Sequence, residues 1–216
     1  MKVMAINGSP RKEWNTATLL ENALEGAASQ GAETELVHLY DLNFKGCKSC
    51  FECKTRGGES YGRCVVEDDL APILQRAAEA DAIILGSPFY FGTASGEMRS
   101  FMERLMFPYL AYSGPPRSLF PRKINTGFIY TMNCRPEGMK PSGQEGRVTH
   151  NERLLQMLFG ASESLCSYDT YQFEDYSKVV ADLFDVEEKV KRREEVFPRD
   201  CEKAFEMGVR FAKKSE

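Results

Sequence analysis

The sequence predicts a doubly wound α/β fold, a parallel sheet with helices on both faces. Three observations carry that expectation. Two short apolar runs without charges, residues 3–6 and 82–85, have the composition of strands in a buried parallel sheet. Stretches with apolar residues spaced by three and four alternate with strand-like runs along the whole chain, an order that requires right-handed crossovers. Both apolar runs also end in a Ser-Pro loop, at Gly8-Ser9-Pro10 and at Ser87-Pro88, where a doubly wound sheet places its ligands.

The elements follow in order. After the strand at 3–6, a helix from Thr16 carries Ala17, Leu20, Ala23, Leu24, Ala27 and Ala28 on one small apolar face and ends near Gly31. Residues 33–40 alternate polar and apolar, the period of an outer strand with one exposed face, and His38 is expected as a solvated residue on it. Asp68 and Asp69 cap a helix with Leu70, Ile73, Leu74, Ala77 and Ala78 as its buried stripe. The strand at 82–86 runs into the loop 87–92, and a helix from Ser95 places Met98, Phe101, Met102 and Leu105 together. The aromatic stretch 107–112 suits packing against a partner subunit. Next come a strand at 125–133, a Gly/Pro-rich segment at 135–146 that is either a lid or disordered, a helix at 149–164 and a strand at 166–173. Helices at 179–190 and 198–213 complete the chain, with Pro198 in a first turn.

With 42% hydrophobic and 28% charged residues, the 216-residue chain has the composition of a globular protein with an adequate core. No linker divides it, so residues 1–216 are expected as a single domain with a cysteine-rich insertion at about 46–66 and a C-terminal helical extension at about 177–216. A net charge of −4 without a basic face argues against a nucleic-acid partner. No stretch approaches the ~20 apolar residues of a membrane span, and the first apolar run is too short for a signal peptide, which points to the cytoplasm. Seven cysteines, four of them crowded into 47–64, fit reduced thiols or a metal centre better than a disulfide framework.

Three loops are equipped for one ligand. The first holds Ser9, Arg11, Asn15, Thr16 and Thr18 around a helix N-terminus, where unpaired N–H groups and the helix dipole favour a terminal phosphate. Gly8 stands alone, without G-x-G-x-x-G or G-x-x-x-x-G-K-[ST], so a dinucleotide fingerprint and a P-loop both lose support. The second loop, Pro88-Phe89-Tyr90-Phe91-Gly92, offers flat side chains and exposed backbone to a planar heteroaromatic ring. The third, Thr131-Met132-Asn133-Cys134, would close the other edge of that ring. A planar ring joined by a short chain to one phosphate describes FMN.

With Asn7-Gly8-Ser9-Pro10-Arg11 followed by Asn15-Thr16, with 86–92, and with Cys47-x-x-Cys50-x-x-Cys53, the sequence resembles the flavodoxin-fold NAD(P)H-dependent FMN reductases and their iron–sulfur flavoprotein relatives. The resemblance implies a flavodoxin-like five-stranded parallel sheet of order 2-1-3-4-5. It further implies that Ser9, Arg11, Asn15, Thr16 and Ala17 hold the FMN phosphate and that Pro88, Phe89, Tyr90, Phe91 and Gly92 contact the ring; Thr131 and Asn133 join the site from the reading of the third loop. NAD(P)H is then the co-substrate, and a homodimer or higher homo-oligomer is expected.

Three cysteines at successive x2 spacings fall roughly on one side of a helical turn, and Cys64 could arrive through a Gly-containing loop as the fourth ligand of a [4Fe–4S] cluster. The same ligands could hold a structural zinc ion, or remain four free thiols. The ten-residue gap from Cys53 to Cys64 is longer than the compact spacing associated with iron–sulfur flavoproteins. Two functions therefore stand. One is an FMN-dependent NAD(P)H oxidoreductase delivering electrons to a quinone, flavin, nitro compound or metal ion, in which the cofactor does the chemistry and no catalytic acid or base is named. The other is an iron–sulfur flavoprotein carrying electrons between protein partners.

Overall fold

The computed structural model of the chain describes residues 1–213. Its sheet has five parallel strands, β1 Lys2–Asn7, β2 Glu33–His38, β3 Ala82–Tyr90, β5 Asn125–Thr131 and β6 Ser162–Ser167, in the order β2-β1-β3-β5-β6. A two-residue strand, β4 Thr93–Ala94, pairs antiparallel with the end of β3. With β4 set aside, the order is the flavodoxin-like 2-1-3-4-5. The strand order reverses at β1 and β3, where Asn7 lies opposite Gly86 and the Gly8 N–H donates to the Gly86 carbonyl at 2.8 Å. Ligands bind at such a crevice.

Side chains alternate across the sheet with the period of two that strands impose. Val3, Ala5, Ala82, Ile84 and Ile129 face α1 Asn15–Ala28 and α7 Phe197–Phe211, while Met4, Ile6, Ile83, Leu85, Phe128 and Tyr130 face the other core. That second core is closed by α2 Ala71–Glu79, α3 Gly96–Met106 and α5 Gln144–Phe159. The helices α1 and α7 touch backbone to backbone: a Cβ at Gly26 would lie 2.0 Å from the Phe205 carbonyl oxygen, and one at Gly208 only 1.7 Å from that of Ala23. Glycine at both positions is what permits the crossing.

Several boundaries differ from expectation, each for a local reason. The outer strand stops at His38 because Leu39–Asp41 turns into a 3-10 segment. The Asp68-Asp69 cap is displaced: Asp68 accepts the Leu70 N–H at 3.1 Å, Asp69 accepts that of Asn43 at 2.8 Å, and the helix starts at Ala71 with Pro72 in its first turn. The strand after Asp81 continues through the expected loop to Tyr90 because β4 folds back on it. Of the two alternatives for the segment 135–146, disorder is ruled out, since it contains α4 Pro136–Met139 and the start of α5. The expected helix over 149–164 ends earlier, at Gly160, whose φ of 122 only glycine adopts readily. The last strand consequently begins at Ser162 and ends at Ser167 rather than spanning 166–173. Downstream, α6 Val186–Glu195 replaces the helix expected at 179–190. Of the extension expected over 177–216, residues 214–216 lie outside the described residues.

Candidate functional site

The loop after β1 is shaped by side chains bonding to backbone. Fully buried Asn7 accepts the Ser9 N–H on Oδ1 at 2.9 Å, and its Nδ2 meets His38 Nδ1 at 3.0 Å. His38, expected to be solvated, therefore helps to orient the loop. Ser9 Oγ accepts the Arg11 N–H at 3.1 Å, and Ser95 Oγ donates to the Gly8 carbonyl at 2.6 Å. Trp14 precedes α1 without a side-chain cap, and the first turn holds no acidic residue. Asn15, Thr16 and Ala17 are at most 5% exposed, and among the described residues no acceptor meets their amides. Buried donors at the positive end of a 14-residue helix fit an anionic ligand.

The side chains predicted to surround that anion are placed unequally. Thr16 Oγ1 and Thr131 Oγ1 lie 2.7 Å apart, which joins the first loop to the end of β5. Asn15 spends its amide on the protein, donating to the Tyr171 carbonyl at 2.7 Å and accepting from Arg193 at 2.9 Å, so only its backbone N–H faces a ligand. The Arg11 guanidinium stacks 4.2 Å from the Trp14 ring centroid and donates to the Gln172 carbonyl at 2.6 Å, at the rim of the loop.

In the second loop Pro88 is buried, and half-buried Phe89 packs against the core, edge-on to Tyr130 at 5.5 Å. Tyr90 and Phe91 are exposed, and Phe91 and Gly92 form a tight hairpin turn with φ of 49 and 78. Positive φ at both central positions matches the strand twist, but it is uncommon for phenylalanine. In the third loop Thr131 is buried, while half-buried Asn133 gives its amide oxygen to Lys189. The sequence did not reveal Lys189, Asp169, Arg193 or the carbonyls of Tyr171 and Gln172. All come from C-terminal segments that converge on these loops only in the fold.

The cysteine segment is not a helical turn. Ser49 and Phe51 have left-handed backbone, and only Glu52–Lys54 form a short 3-10 turn. Nevertheless Cys47, Cys50, Cys53 and Cys64 line one cavity, walled by Phe51, Val65, Val66, Phe107 and Pro108. Burial pushes the Cys53 thiol up; Lys54 opposes this, and Cys64, Cys47 and Cys50 add to it. Among the described residues no three His, Cys, Asp or Glu side chains gather as a single metal ion would need. A buried arginine pins the segment. Arg104, on α3 and 2% exposed, donates Nε to Cys64 Sγ at 3.0 Å and its remaining N–H groups to the Lys45 and Val66 carbonyls and to both Asp68 oxygens. The aromatic stretch 107–112 also packs on this insertion: Lys54 donates to the carbonyls of Pro108 and Leu110, and Phe51 meets Phe107 edge-on.

Known proteins are similar to the chain in sequence and in fold. The chain is 44% identical over 160 residues to an iron–sulfur flavoprotein of Methanocaldococcus jannaschii, covering 73% of this chain and 74% of that protein. An iron–sulfur flavoprotein of Archaeoglobus fulgidus is 41% identical over 104 residues, 48% of either chain. In fold, the chain is similar to an NAD(P)H:quinone oxidoreductase from Methanothermobacter marburgensis, with TM-score 0.68 at 16% identity, covering 100% of this chain and 99% of that one. It is also similar to an FMN-dependent NADH-azoreductase from Bacillus anthracis in complex with FMN, with TM-score 0.66 at 12% identity over 99% and 100% of the two chains. Residues 1–124, which contain the anion loop, the hairpin and the cysteine cavity, match the family model described as NADPH-dependent FMN reductase, and the protein belongs to that family.

Proposed function

We propose that the chain binds FMN and transfers electrons from NAD(P)H to a small acceptor. The observation that carries this reading is the trio of buried amides at Asn15, Thr16 and Ala17 that meet no acceptor among the described residues, in a member of an FMN reductase family. These residues fit a phosphate; the exposed Tyr90-Phe91-Gly92 hairpin and Asn133 supply aromatic surface and hydrogen-bond donors for a planar ring. When bound, FMN supplies the redox chemistry, taking hydride from the nicotinamide and returning electrons to an acceptor of the quinone, azo, nitro, flavin or metal-ion class. The protein's part is to anchor the phosphate at α1, orient the ring between the second and third loops, and leave one face open to donor and acceptor in turn. Anaerobic stopped-flow mixing with NADH and with NADPH is the test. Rapid bleaching of the bound flavin by either is expected, and a flavin that stays oxidised with both overturns the assignment.

A second reading is favoured by the shared cysteine cavity and by the 44% identical relative named an iron–sulfur flavoprotein. Four thiols that line one cavity without converging on a point suit a cluster, in which each sulfur binds a different iron, better than a single zinc ion that draws four ligands together. In this reading Cys47, Cys50, Cys53 and Cys64 hold a [4Fe–4S] centre and the chain passes electrons to a redox protein. Iron and acid-labile sulfide measured on anaerobically purified protein decide it: about four of each per chain are expected for one cluster, and their absence removes this reading without touching the first.

A further inference from the structure

The helix α6 is highly charged, with Val186 and Val190 its only apolar residues, yet Lys189 on it is 2% exposed. An ammonium has three N–H donors and no acceptor. Lys189 finds three acceptors: the Asn133 carboxamide oxygen, an Asp169 carboxylate oxygen, and the Thr170 carbonyl at 3.3 Å. Four residues along, on the same side of the helix, Arg193 donates to the Asn15 carboxamide oxygen at 2.9 Å. One side of α6 thus sends a cation to the loop after β1 and another to the loop after β5, and each grips an asparagine by its amide oxygen.

The chemistry of the ammonium decides which way Asn133 points. Because Lys189 can only donate, the amide oxygen faces it and the NH2 group is turned away, where no protein acceptor meets it among the described residues. Asn15 differs, since its NH2 is spent on the Tyr171 carbonyl. Asn133 therefore keeps two N–H donors for a ligand. The support beneath it is rigid. Asp169 is shared between Lys189 and Arg135, the latter at 3.3 Å, and has a left-handed φ of 49. The Asp169 N–H donates to the Cys134 carbonyl at 3.0 Å and the Thr170 N–H to the Met132 carbonyl at 2.9 Å, so the segment after β6 is zipped onto the third loop. Such backbone strain persists only where its surroundings over-determine it.

We propose that Lys189 is a positioning residue for the flavin: by holding the Asn133 amide oxygen it presents the Asn133 NH2 group to a carbonyl or ring-nitrogen acceptor of FMN. With Arg193 it makes α6 part of the flavin site, although α6 lies outside the residues that match the family model. The inference rests on the FMN reading above. Its test is titration of apoprotein with FMN, together with the midpoint potential of the bound flavin, in wild type, Asn133→Asp, Lys189→Met and the double variant. Asn133→Asp keeps a partner for Lys189 and exchanges the two donors for a carboxylate oxygen. It is expected to retain the apoprotein's thermal stability, to bind FMN roughly tenfold more weakly and to shift the potential to more negative values, because a donor to the electron-rich reduced ring is replaced by a carboxylate oxygen. Lys189→Met should do the same, and the double variant should be no weaker than the worse single one, since both act through one amide. Wild-type affinity and potential in Asn133→Asp overturn the proposal, as do losses that multiply in the double variant. Should Lys189→Met fail to fold with Asp169 left to Arg135 alone, Asn133→Asp decides alone. Failure of the wild-type protein to take up FMN would instead overturn the functional reading itself.

Discussion

Thr16 and Arg11 belong to the same short motif, but the fold uses them differently. The Thr16 hydroxyl is buried against Thr131 beside three amides that meet no acceptor among the described residues, whereas the Arg11 guanidinium is committed to Trp14 and Gln172. Thr16→Val keeps the shape and removes the hydroxyl, and should weaken FMN binding by about 1 kcal/mol, read by titration of apoprotein. Asp68 yields a prediction with a definite sign. Burial alone would raise its carboxyl, but the bonds from Arg104 and from the amides of Leu70 and Ala71 outweigh it and hold the group below the usual carboxylate range. Its stabilisation is therefore present above the unfolded value of about 4 and is lost as pH falls through the lower folded value. In urea denaturation, the stability gap between wild type and Asp68→Asn should be full at neutral pH and shrink below about pH 4. At this scale, the residues legible in the sequence are those whose role is local. Ser9 and Thr16 follow a strand within one loop, whereas Lys189 sits in the charge run 186–195, which reads as a solvated face, and its partners Asn133 and Asp169 are 56 and 20 residues away.

Elements are where packing overrides local pattern. The α1 and α7 stripes are readable from their spacing, but the reciprocal approach of Gly26 and Gly208 depends on two helices about 180 residues apart in sequence. Gly208→Val would drive a side chain into the Ala23 carbonyl and should cost about 3 kcal/mol or more, a fall of about 6–12 °C in Tm for a chain of this size. The misplaced helix over 149–164 has a similar origin. Leu154, Leu155, Leu158 and Phe159 announce the helix, but its end is set by Gly160, and the polar Ser162-Glu163-Ser164 becomes strand because β5 offers it an edge to pair with. The cysteine insertion lacks periodicity altogether, and its shape comes from Arg104, whose five N–H donors all find partners in or beside it. Arg104→Met strands the Asp68 carboxylate and should cost about 3–5 kcal/mol. Hydrogen exchange in residues 45–66 should rise while α1 stays protected, because α1 belongs to the opposite face of the sheet.

At the scale of the molecule, the family match and the physical unit do not coincide. Residues 1–124 supply β1, β2 and β3, the anion loop and the cysteine cavity, but not the completed sheet or its cover. On the face that carries Val3, Ala5, Ala82, Ile84 and Ile129, α1 is one cover and α7 is the other, through Phe197, Ala204, Met207 and Phe211. The fold becomes closed only when a chain segment from the far end returns to lie on α1. A chain shortened to residues 1–196 keeps every loop of the proposed flavin site but leaves that apolar face open to water. Each large side chain uncovered forfeits about 1.5–3 kcal/mol, and four such losses approach the whole stability of a domain. The shortened chain is expected to keep helical far-ultraviolet circular dichroism, lose its near-ultraviolet signal, bind a hydrophobic dye and fail to retain FMN. A cooperative unfolding transition with wild-type FMN affinity in that chain would mean that α7 is an accessory helix and that the sheet is held by α1 alone.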